Sequence, residues 1–279
     1  MSFFFTYNDK FYPEATGVIT PDNRSFRYGD GLFETVKVVN GVMQLRDYHF
    51  QRLFDGIKLL QFEIPPHFNP TYLETKIAAL CKKNQHDTTA RVRLTVFRGN
   101  GGQFDPSNLQ PNYVIQSWPL DPVNELNSNG LVIDVYPDVE KPCDVFSNVK
   151  SNSFLPYTMA ALHAKKIKVN DCVLLNTYKR ICDTSIANIF IIKDGLVTTP
   201  PLSEGCIAGV TRRFLVDRMP HWGFNVAEQP LNISDLENAD GVFLSNAIKG
   251  IRWVKEFGNK TYTNVFVKNI HEHFVKTIH

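Results

Sequence analysis

Apolar residues along the chain follow two different spacings, and each spacing predicts a different element. In residues 91–97, Val92, Leu94 and Val96 alternate with polar positions, which is typical of a strand with one buried face. From residue 50 onward the apolar side chains recur three, four and seven positions apart, which predicts an amphipathic helix: Phe50, Leu53, Phe54, Ile57 and Leu60. Both element types are therefore present early in the chain.

The same patterns continue and predict a mixed α/β (α+β) fold. Runs 35–39 and 42–45 flank Asn40-Gly41, a strong hairpin signal. Further strands are expected at 113–117, 131–136, 173–176 and 189–192, and further helices from about Thr71, over 155–166 and from near Thr211. The stretch around 118–129 holds prolines and polar residues with little apolar periodicity, which is typical of a linker. We therefore expect domains at 1–117 and 130–279, joined by a linker at 118–129.

Composition excludes several classes of protein. Hydrophobic residues make up 43% and charged residues 21% of 279 residues, ordinary values for a globular enzyme. Lys+Arg minus Asp+Glu is 30 − 28 = +2, so no charge excess points to nucleic acid or an anionic membrane. No apolar run reaches the roughly 18–20 residues of a membrane span. The five cysteines form no C-x-x-C pair, so we expect a cytoplasmic protein without a metal site.

Four segments contain residues suited to chemistry, although each alone has an ordinary structural explanation. Gly29-Asp30-Gly31 predicts a tight turn, and residues 98–102 predict a flexible loop with Arg98 at its base. Residues 205–212 place glycine and threonine at a helix start, where free backbone N–H groups can bind phosphate. Lys150 lies among small polar residues before a helix, a setting that suits a lysine whose amine forms a Schiff base.

Taken together and in this order, these segments resemble the class IV aminotransferases, the pyridoxal-phosphate enzymes of fold type IV. That family includes branched-chain aminotransferases, D-amino acid aminotransferases and 4-amino-4-deoxychorismate lyases. The matching segments are residues 28–35 (YGDGLFET), 49–53 (HFQRL), 149–152 (VKSN), 183–190 (DTSIANIF), 199–202 (TPPL), 205–212 (GCIAGVTR) and, more weakly, 243–247 (FLSNA). The resemblance covers the chain from about Tyr28 to Val254.

The resemblance implies a two-domain fold with pyridoxal 5'-phosphate in the cleft between the domains. It places Lys150 as the catalytic lysine that binds the cofactor covalently and moves a proton. It also assigns Asp183 to the ring nitrogen, where the family usually has Glu. The other implied positions are the phosphate contacts Arg52, Val210, Thr211 and Ser245, and the substrate contacts Tyr28 and Arg98.

The resemblance further implies an aminotransferase that moves an amino group between a small amino acid and a 2-oxo acid. The alternative is a 4-amino-4-deoxychorismate lyase, which releases pyruvate and 4-aminobenzoate. Phe154 stands near the position where branched-chain enzymes commonly carry a Tyr, and this weakens the branched-chain assignment. A binding protein without catalysis is a third hypothesis, and the intact Lys150 argues against it. We expect small-molecule substrates and a homodimer, with no nucleic acid or membrane partner.

Overall fold

The computed structural model describes residues 3–86, 88–105, 108–121 and 125–278. These residues form two compact units, one within Met1–Pro122 and Val149–Ser153 and the other within Val123–Asn148 and Phe154–His279. The domain limits predicted from the sequence, 1–117, 118–129 and 130–279, stay a prediction. One feature went unforeseen, because a short later segment that includes Lys150 belongs with the first unit.

The first unit contains a sheet in which six strands are described, in the order β2-β1-β6-β5-β3-β4, with every pairing antiparallel. Its hairpin at Asn40-Gly41 is confirmed, with both residues at positive φ (48° and 77°), as a tight turn between twisted strands requires. Strand β6 ends at Pro119, two residues past the predicted end of the first domain at residue 117. The strands are β1 (Phe4–Tyr7), β2 (Lys10–Pro13), β3 (Gly31–Val39), β4 (Val42–Met43), β5 (Thr89–Phe97) and β6 (Asn112–Pro119).

One face of this sheet is covered by helices. The helices of the unit are α1 (Arg24–Tyr28), α2 (Arg46–Leu59) and α3 (Pro70–Lys83). Apolar side chains of α2 and α3 pack on alternate residues of β3 and β5, as the sequence periodicity predicted. Asn69 caps α3 by accepting a hydrogen bond from the Tyr72 N–H, and Pro70 occupies the first turn. The opposite face of the sheet carries the alternate residues of β3 and β5, which include Phe33, Arg91 and Arg93.

The second unit contains a larger mixed sheet, in which nine strands are described. Eight follow the order β12-β11-β10-β13-β14-β7-β8-β9, and β15 pairs with β14. Strand β7 is parallel to both of its neighbours, whereas β10 and β13 are antiparallel. The strands are β7 (Leu131–Lys141), β8 (Asp171–Asn176), β9 (Ile181–Thr184), β10 (Asn188–Lys193), β11 (Leu196–Thr199), β12 (Asn225–Glu228), β13 (Gly241–Asn246), β14 (Gly250–Phe257) and β15 (Lys260–Thr261).

Helices and short 3₁₀ turns complete the second unit. They are α4 (Leu155–Ile167), α5 (Val210–Arg218), α6 (Ile233–Asn238) and α7 (Val265–Ile278), with turns at Leu202–Glu204 and Met219–Trp222. The predicted mixed fold class is confirmed by the two sheets and their helices. Across the described ranges, no helix combines the length and apolarity needed to traverse a bilayer.

Candidate active site

Lys150 is held by its backbone against the first residues of β3. The N–H of Phe33 donates to the Lys150 carbonyl at 2.9 Å, and the N–H of Asn152 donates to the Gly31 carbonyl at 2.9 Å. Ser151 and Leu32 form an antiparallel bridge between these two bonds. The lysine side chain lies beside β3, with Nζ 4.5 Å from the centre of the Phe33 ring. Because ladder bonds at Lys150 and at Asn152 fix the backbone on the C-terminal side of the lysine, its amine starts from a defined position.

Gly31 permits this close pairing. A Cβ at Gly31 would lie 2.5 Å from the Asn152 amide nitrogen and 2.6 Å from the Val96 carbonyl oxygen. Gly29 ends α1 with φ +69°, a conformation that favours glycine. The Gly-Asp-Gly segment is therefore a structural requirement of the lysine's position. The sequence identified it only as a turn and as a family motif.

A cluster of cationic side chains shares the sheet face on which Phe33 lies. The guanidinium carbon of Arg93 lies 3.6 Å from the Phe33 ring centre, so Arg93 and Lys150 contact the same ring. Arg91 precedes it on the same face, stacked over Trp118. Burial, followed by the charge of Arg91, lowers the pKa of Arg93. In the part of the chain that the structure describes, neither arginine pairs with a carboxylate, so the face is suited to an anionic ligand. The strand alternation had indicated their common face, but neither arginine was predicted as a site residue.

Arg52 forms a buried network with Glu34 and His49. Its Nε and Nη2 donate to the two carboxylate oxygens of Glu34 at 2.7 and 2.6 Å, and His49 Nδ1 lies 2.6 Å from Glu34 Oε2. Burial alone would raise the pKa of Glu34, but Arg52 and His49 outweigh it and hold that pKa at about 2. The carboxylate therefore fixes the direction of the arginine fork. The phosphate contact expected of Arg52 stays a prediction.

The two predicted substrate contacts differ in their surroundings. Tyr28 lies at the end of α1 and is 45% exposed. Arg98 is buried, donating to Asp30 Oδ1 at 2.6 Å and to the Leu60 carbonyl. Its charge is thus engaged in holding the Gly29–Gly31 turn. Their substrate roles stay predictions.

Asp183 lies on β9 in the second unit, where 2% of the residue is exposed. Its Oδ2 accepts hydrogen bonds from Tyr157 OH and from the Ile207 backbone N–H, each at 3.0 Å, and Lys141 Nζ also lies 3.0 Å away. Sequence reasoning missed Lys141 and Tyr157, because nothing in their local patterns distinguishes them from solvated residues. Phe154 lacks a hydroxyl as expected, and it stacks on Tyr157 at 4.3 Å.

The predicted phosphate contacts of the second unit lie at and near the N-terminus of α5. Gly209 caps α5, and a Cβ there would lie 1.8 Å from the Asn188 side-chain oxygen. Asn188 is also the register partner of Ser245 across β10 and β13. The hydroxyls of Thr211 and Ser245 are buried and have no hydrogen-bond partner among the described residues.

Such hydroxyls are costly unless a ligand satisfies them. A helix N-terminus with two free buried donors matches the chemistry of a phosphate group. The residues present therefore fit the phosphate of pyridoxal phosphate. Whether Val210, Thr211 and Ser245 bind it stays a prediction.

Comparison with known proteins identifies the chain's relatives. A Methanocaldococcus jannaschii protein provisionally named a branched-chain-amino-acid aminotransferase is 29% identical over 266 residues, covering 94% of this chain and 91% of that protein. The aminodeoxychorismate lyase of Vibrio harveyi is 28% identical over 232 residues, covering 82% and 83%. The two sequence similarities are close in strength although the named reactions differ.

The fold is shared with solved structures and a family model. The branched-chain aminotransferase of the archaeon Thermoproteus uzoniensis, solved with norvaline, superposes with a TM-score of 0.88 at 21% identity, covering 100% of this chain and 95% of that one. The family model "Amino-transferase class IV" matches residues 31–257, which span β3 to the end of β14. The family resemblance seen in the sequence is thereby confirmed, and the chain belongs to the class IV aminotransferases.

Proposed function

We propose that this protein is a pyridoxal-phosphate-dependent aminotransferase acting on a small amino acid and a 2-oxo acid. The observation that carries the proposal is the pair of buried, unpartnered hydroxyls of Thr211 and Ser245 beside the α5 N-terminus, as judged over the described residues. They match a phosphate ligand, and the same chain presents a lysine fixed by ladder bonds at Lys150. A phosphate that hydrogen-bonds to both hydroxyls would offset the cost of burying them.

Each residue then has a definite task. When bound, pyridoxal phosphate supplies an electron sink for the electrons released at the substrate's Cα. Lys150 holds the cofactor through its amine and, once freed, carries the proton to and from Cα. Thr211, Ser245 and the Val210 N–H bind the phosphate, with Arg52 as a further cationic contact. Asp183 faces the ring nitrogen with a negative charge.

The proposed substrate class follows from the charge on the open face of the first sheet. Arg91 and Arg93 lie two residues apart on β5, and Arg93 shares the Phe33 ring with Lys150. Guanidinium groups bind carboxylates by paired hydrogen bonds. Amino acids and 2-oxo acids both carry a carboxylate next to the reacting carbon. We therefore propose that Arg93 orients that carboxylate relative to the Lys150 amine.

The second candidate is 4-amino-4-deoxychorismate lyase. The Vibrio harveyi relative favours it, being nearly as similar as the Methanocaldococcus protein. Both reactions use a lysine, a carboxylate and a phosphate site, so the site chemistry is common to both. An assay of the purified protein with aminodeoxychorismate and with a panel of L- and D-amino acids and 2-oxo acids separates them. Pyruvate with 4-aminobenzoate indicates the lyase, whereas amino-group exchange indicates the aminotransferase.

We further propose that the protein acts as a homodimer. Helix α4 exposes Leu155, Met159 and Leu162, four and then three residues apart, which places them in one row. Val145 and Phe146 of the same unit are also exposed. A row of exposed apolar side chains on one helix is typical of a protein–protein interface.

Borohydride reduction tests the cofactor proposal. We expect the purified, cofactor-loaded protein to be yellow, and reduction followed by peptide mass spectrometry to place the pyridoxyl group on Lys150. Lys150→Ala should lose that covalent label and nearly all turnover, because the variant lacks the amine that binds the cofactor.

Lys165→Ala is the matched control, since Lys165 is an exposed lysine on α4. It should retain the label and the colour. Recovery of the pyridoxyl group on Lys165 or Lys166 in the wild-type protein would show that the lysine assignment is wrong.

A further inference from the structure

Lys141 is a buried lysine whose ammonium group contacts the proposed ring-nitrogen carboxylate. It ends β7, and 5% of the residue is exposed. Its Nζ donates to Asp183 Oδ2 at 3.0 Å, to the Gly205 carbonyl at 2.7 Å and to Tyr157 OH. Lysines are rarely buried unless they are paired, so this position requires an explanation.

The contacts of Asp183 are divided unequally between its two oxygens. Oδ2 accepts from Tyr157 OH and the Ile207 N–H at 3.0 Å, in addition to Lys141. Oδ1 has longer contacts, 3.3 Å to Lys141 Nζ and 3.5 Å to Cys182 Sγ. The network therefore fixes Oδ2 and leaves Oδ1 as the oxygen with capacity for a further donor.

Lys141 is charged in this setting. Burial, the largest single effect, would lower the pKa of Lys141, but the charge and hydrogen bond of Asp183 and the nearby Cys182 and Cys206 together outweigh it, and the pKa is raised. The Nζ of Lys141 lies 3.0 Å from the carboxylate, which favours the ammonium form of the lysine. Within a buried site, charges at this separation interact far more strongly than in water.

We propose that Lys141 is a positioning residue that orients Asp183 and offsets part of its negative charge, so that the cofactor's ring nitrogen is less strongly held in its protonated form. This proposal rests on the proposed function, because it assumes that Asp183 faces the ring nitrogen. A carboxylate without a neighbouring cation would favour the proton on the ring nitrogen more strongly. Lys141 therefore adjusts the strength of the electron sink without touching the substrate.

The pair also explains how the carboxylate is tolerated before the cofactor binds. The ammonium and carboxylate compensate each other within the fold. Removing Lys141 leaves Asp183 buried with only neutral donors, so the cofactor-free protein should lose stability. Replacing Asp183 by Asn in the same variant removes the uncompensated charge and should restore part of that stability.

The test measures the protonation of the ring nitrogen by ¹⁵N NMR, using protein loaded with ring-¹⁵N pyridoxal phosphate at one fixed pH. We expect Lys141→Met to shift the resonance toward the protonated position and Asp183→Asn to shift it toward the neutral position. Lys141→Gln provides a second variant in case Lys141→Met does not fold, and it should shift the signal in the same direction as Lys141→Met.

Lys179→Met is the matched control. Lys179 also pairs with a carboxylate of the second unit, Glu140, but its side chain is 71% exposed. The Lys179→Met variant should therefore leave the ¹⁵N resonance and the melting temperature of the cofactor-free protein unchanged. If Lys141 had a purely structural role, its replacement would lower the melting temperature without moving the ¹⁵N resonance.

Two outcomes overturn the proposal, and they separate it from the proposed function. If borohydride labels Lys150 but the Lys141 variants leave the resonance unmoved, cofactor binding stands and the role of Lys141 is wrong. The absence of a labelled Lys150 in the wild-type protein means that the proposed function itself fails, and the role of Lys141 toward the cofactor fails with it.

Discussion

At the scale of single residues, the candidate site is defined by charges that the fold has compensated and by polar groups that it has not. Glu34 and Asp183 are both nearly inaccessible, yet each is met by a basic side chain. Thr211 and Ser245 are equally buried, but their hydroxyls are unpartnered within the described chain. The first group stabilises the fold, and the second lies where a bound phosphate would supply the missing hydrogen bonds.

Glu34 leads to a prediction about acid stability. Its pKa is held at about 2, below its ordinary 4.5, so it stabilises the folded state above pH 4.5. That contribution should decline as the pH falls through the window from 4.5 to 2, by roughly 3 kcal/mol in total. Glu34→Gln removes the titrating group. The difference in unfolding free energy between wild type and Glu34→Gln should therefore shrink toward pH 2 in urea titrations. Parallel pH profiles for the two proteins would contradict this assignment.

The sequence identified some of these residues and not others, for a physical reason. Arg52, Asp183 and Thr211 lie in motifs whose order along the chain is specific to the family. Lys141 and Tyr157 become important only because β7 and α4 bring them to Asp183, at separations of 42 and 26 residues. Single-sequence patterns record local periodicity and do not record which distant side chains meet. Such contacts can only be read from the folded chain.

At the scale of elements, local pattern predicted the elements with strong periodicity. Helices α2 and α3 and strand β5 were predicted because their apolar residues face one core. The short strands β1 and β2 were missed. Their Phe- and Tyr-rich residues lack a clear alternation, and β2 is an exposed edge strand. The linker was predicted to begin at 118, whereas β6 continues to Pro119. Proline is tolerated at the end of a strand, so its presence there marks a strand end as readily as a loop.

Helix α5 leads to a prediction that separates binding from stability. Thr211→Val and Ser245→Ala each remove a buried hydroxyl that has no partner in the described chain. Each should weaken cofactor binding about ten- to a hundredfold, because a hydrogen bond to a charged group contributes about 1.5–3 kcal/mol. The melting temperature of the cofactor-free protein should stay level or rise, since no internal bond is lost.

Thr199→Val provides the control for this pair. Thr199 is also buried in the second unit, but its hydroxyl donates to the Ile189 carbonyl at 2.8 Å. It should lower the melting temperature and leave cofactor affinity unchanged. Cofactor titration followed by fluorescence, together with thermal unfolding, measures both effects. An unchanged affinity in Thr211→Val and Ser245→Ala would place the phosphate elsewhere.

At the scale of the whole molecule, the unit division shows why the motifs are spread along the chain. Lys150 is grouped with the first unit through its pairing with β3, although it follows β7 of the second. The chain therefore returns to the first sheet for a few residues before continuing into α4. A linear domain division from composition could not anticipate this return, because the segment has no compositional boundary. Only the ladder bonds between Gly31–Phe33 and Lys150–Asn152 reveal it.

The proposed homodimer gives the prediction at this scale. Leu162 lies in the exposed row with Leu155 and Met159, and 56% of its surface is accessible. If the row is covered by a second copy, Leu162→Glu buries a carboxylate in an apolar contact at a cost of about 3 kcal/mol or more. The dimer dissociation constant should then rise at least a hundredfold, which sedimentation equilibrium can measure.

Ala161→Glu adds the same charge at an exposed position outside the row and should leave the dimer intact. Equal dissociation constants for wild type and Leu162→Glu would mean that the partner copy binds another surface. A wild-type protein that sediments as a monomer would reject the homodimer altogether.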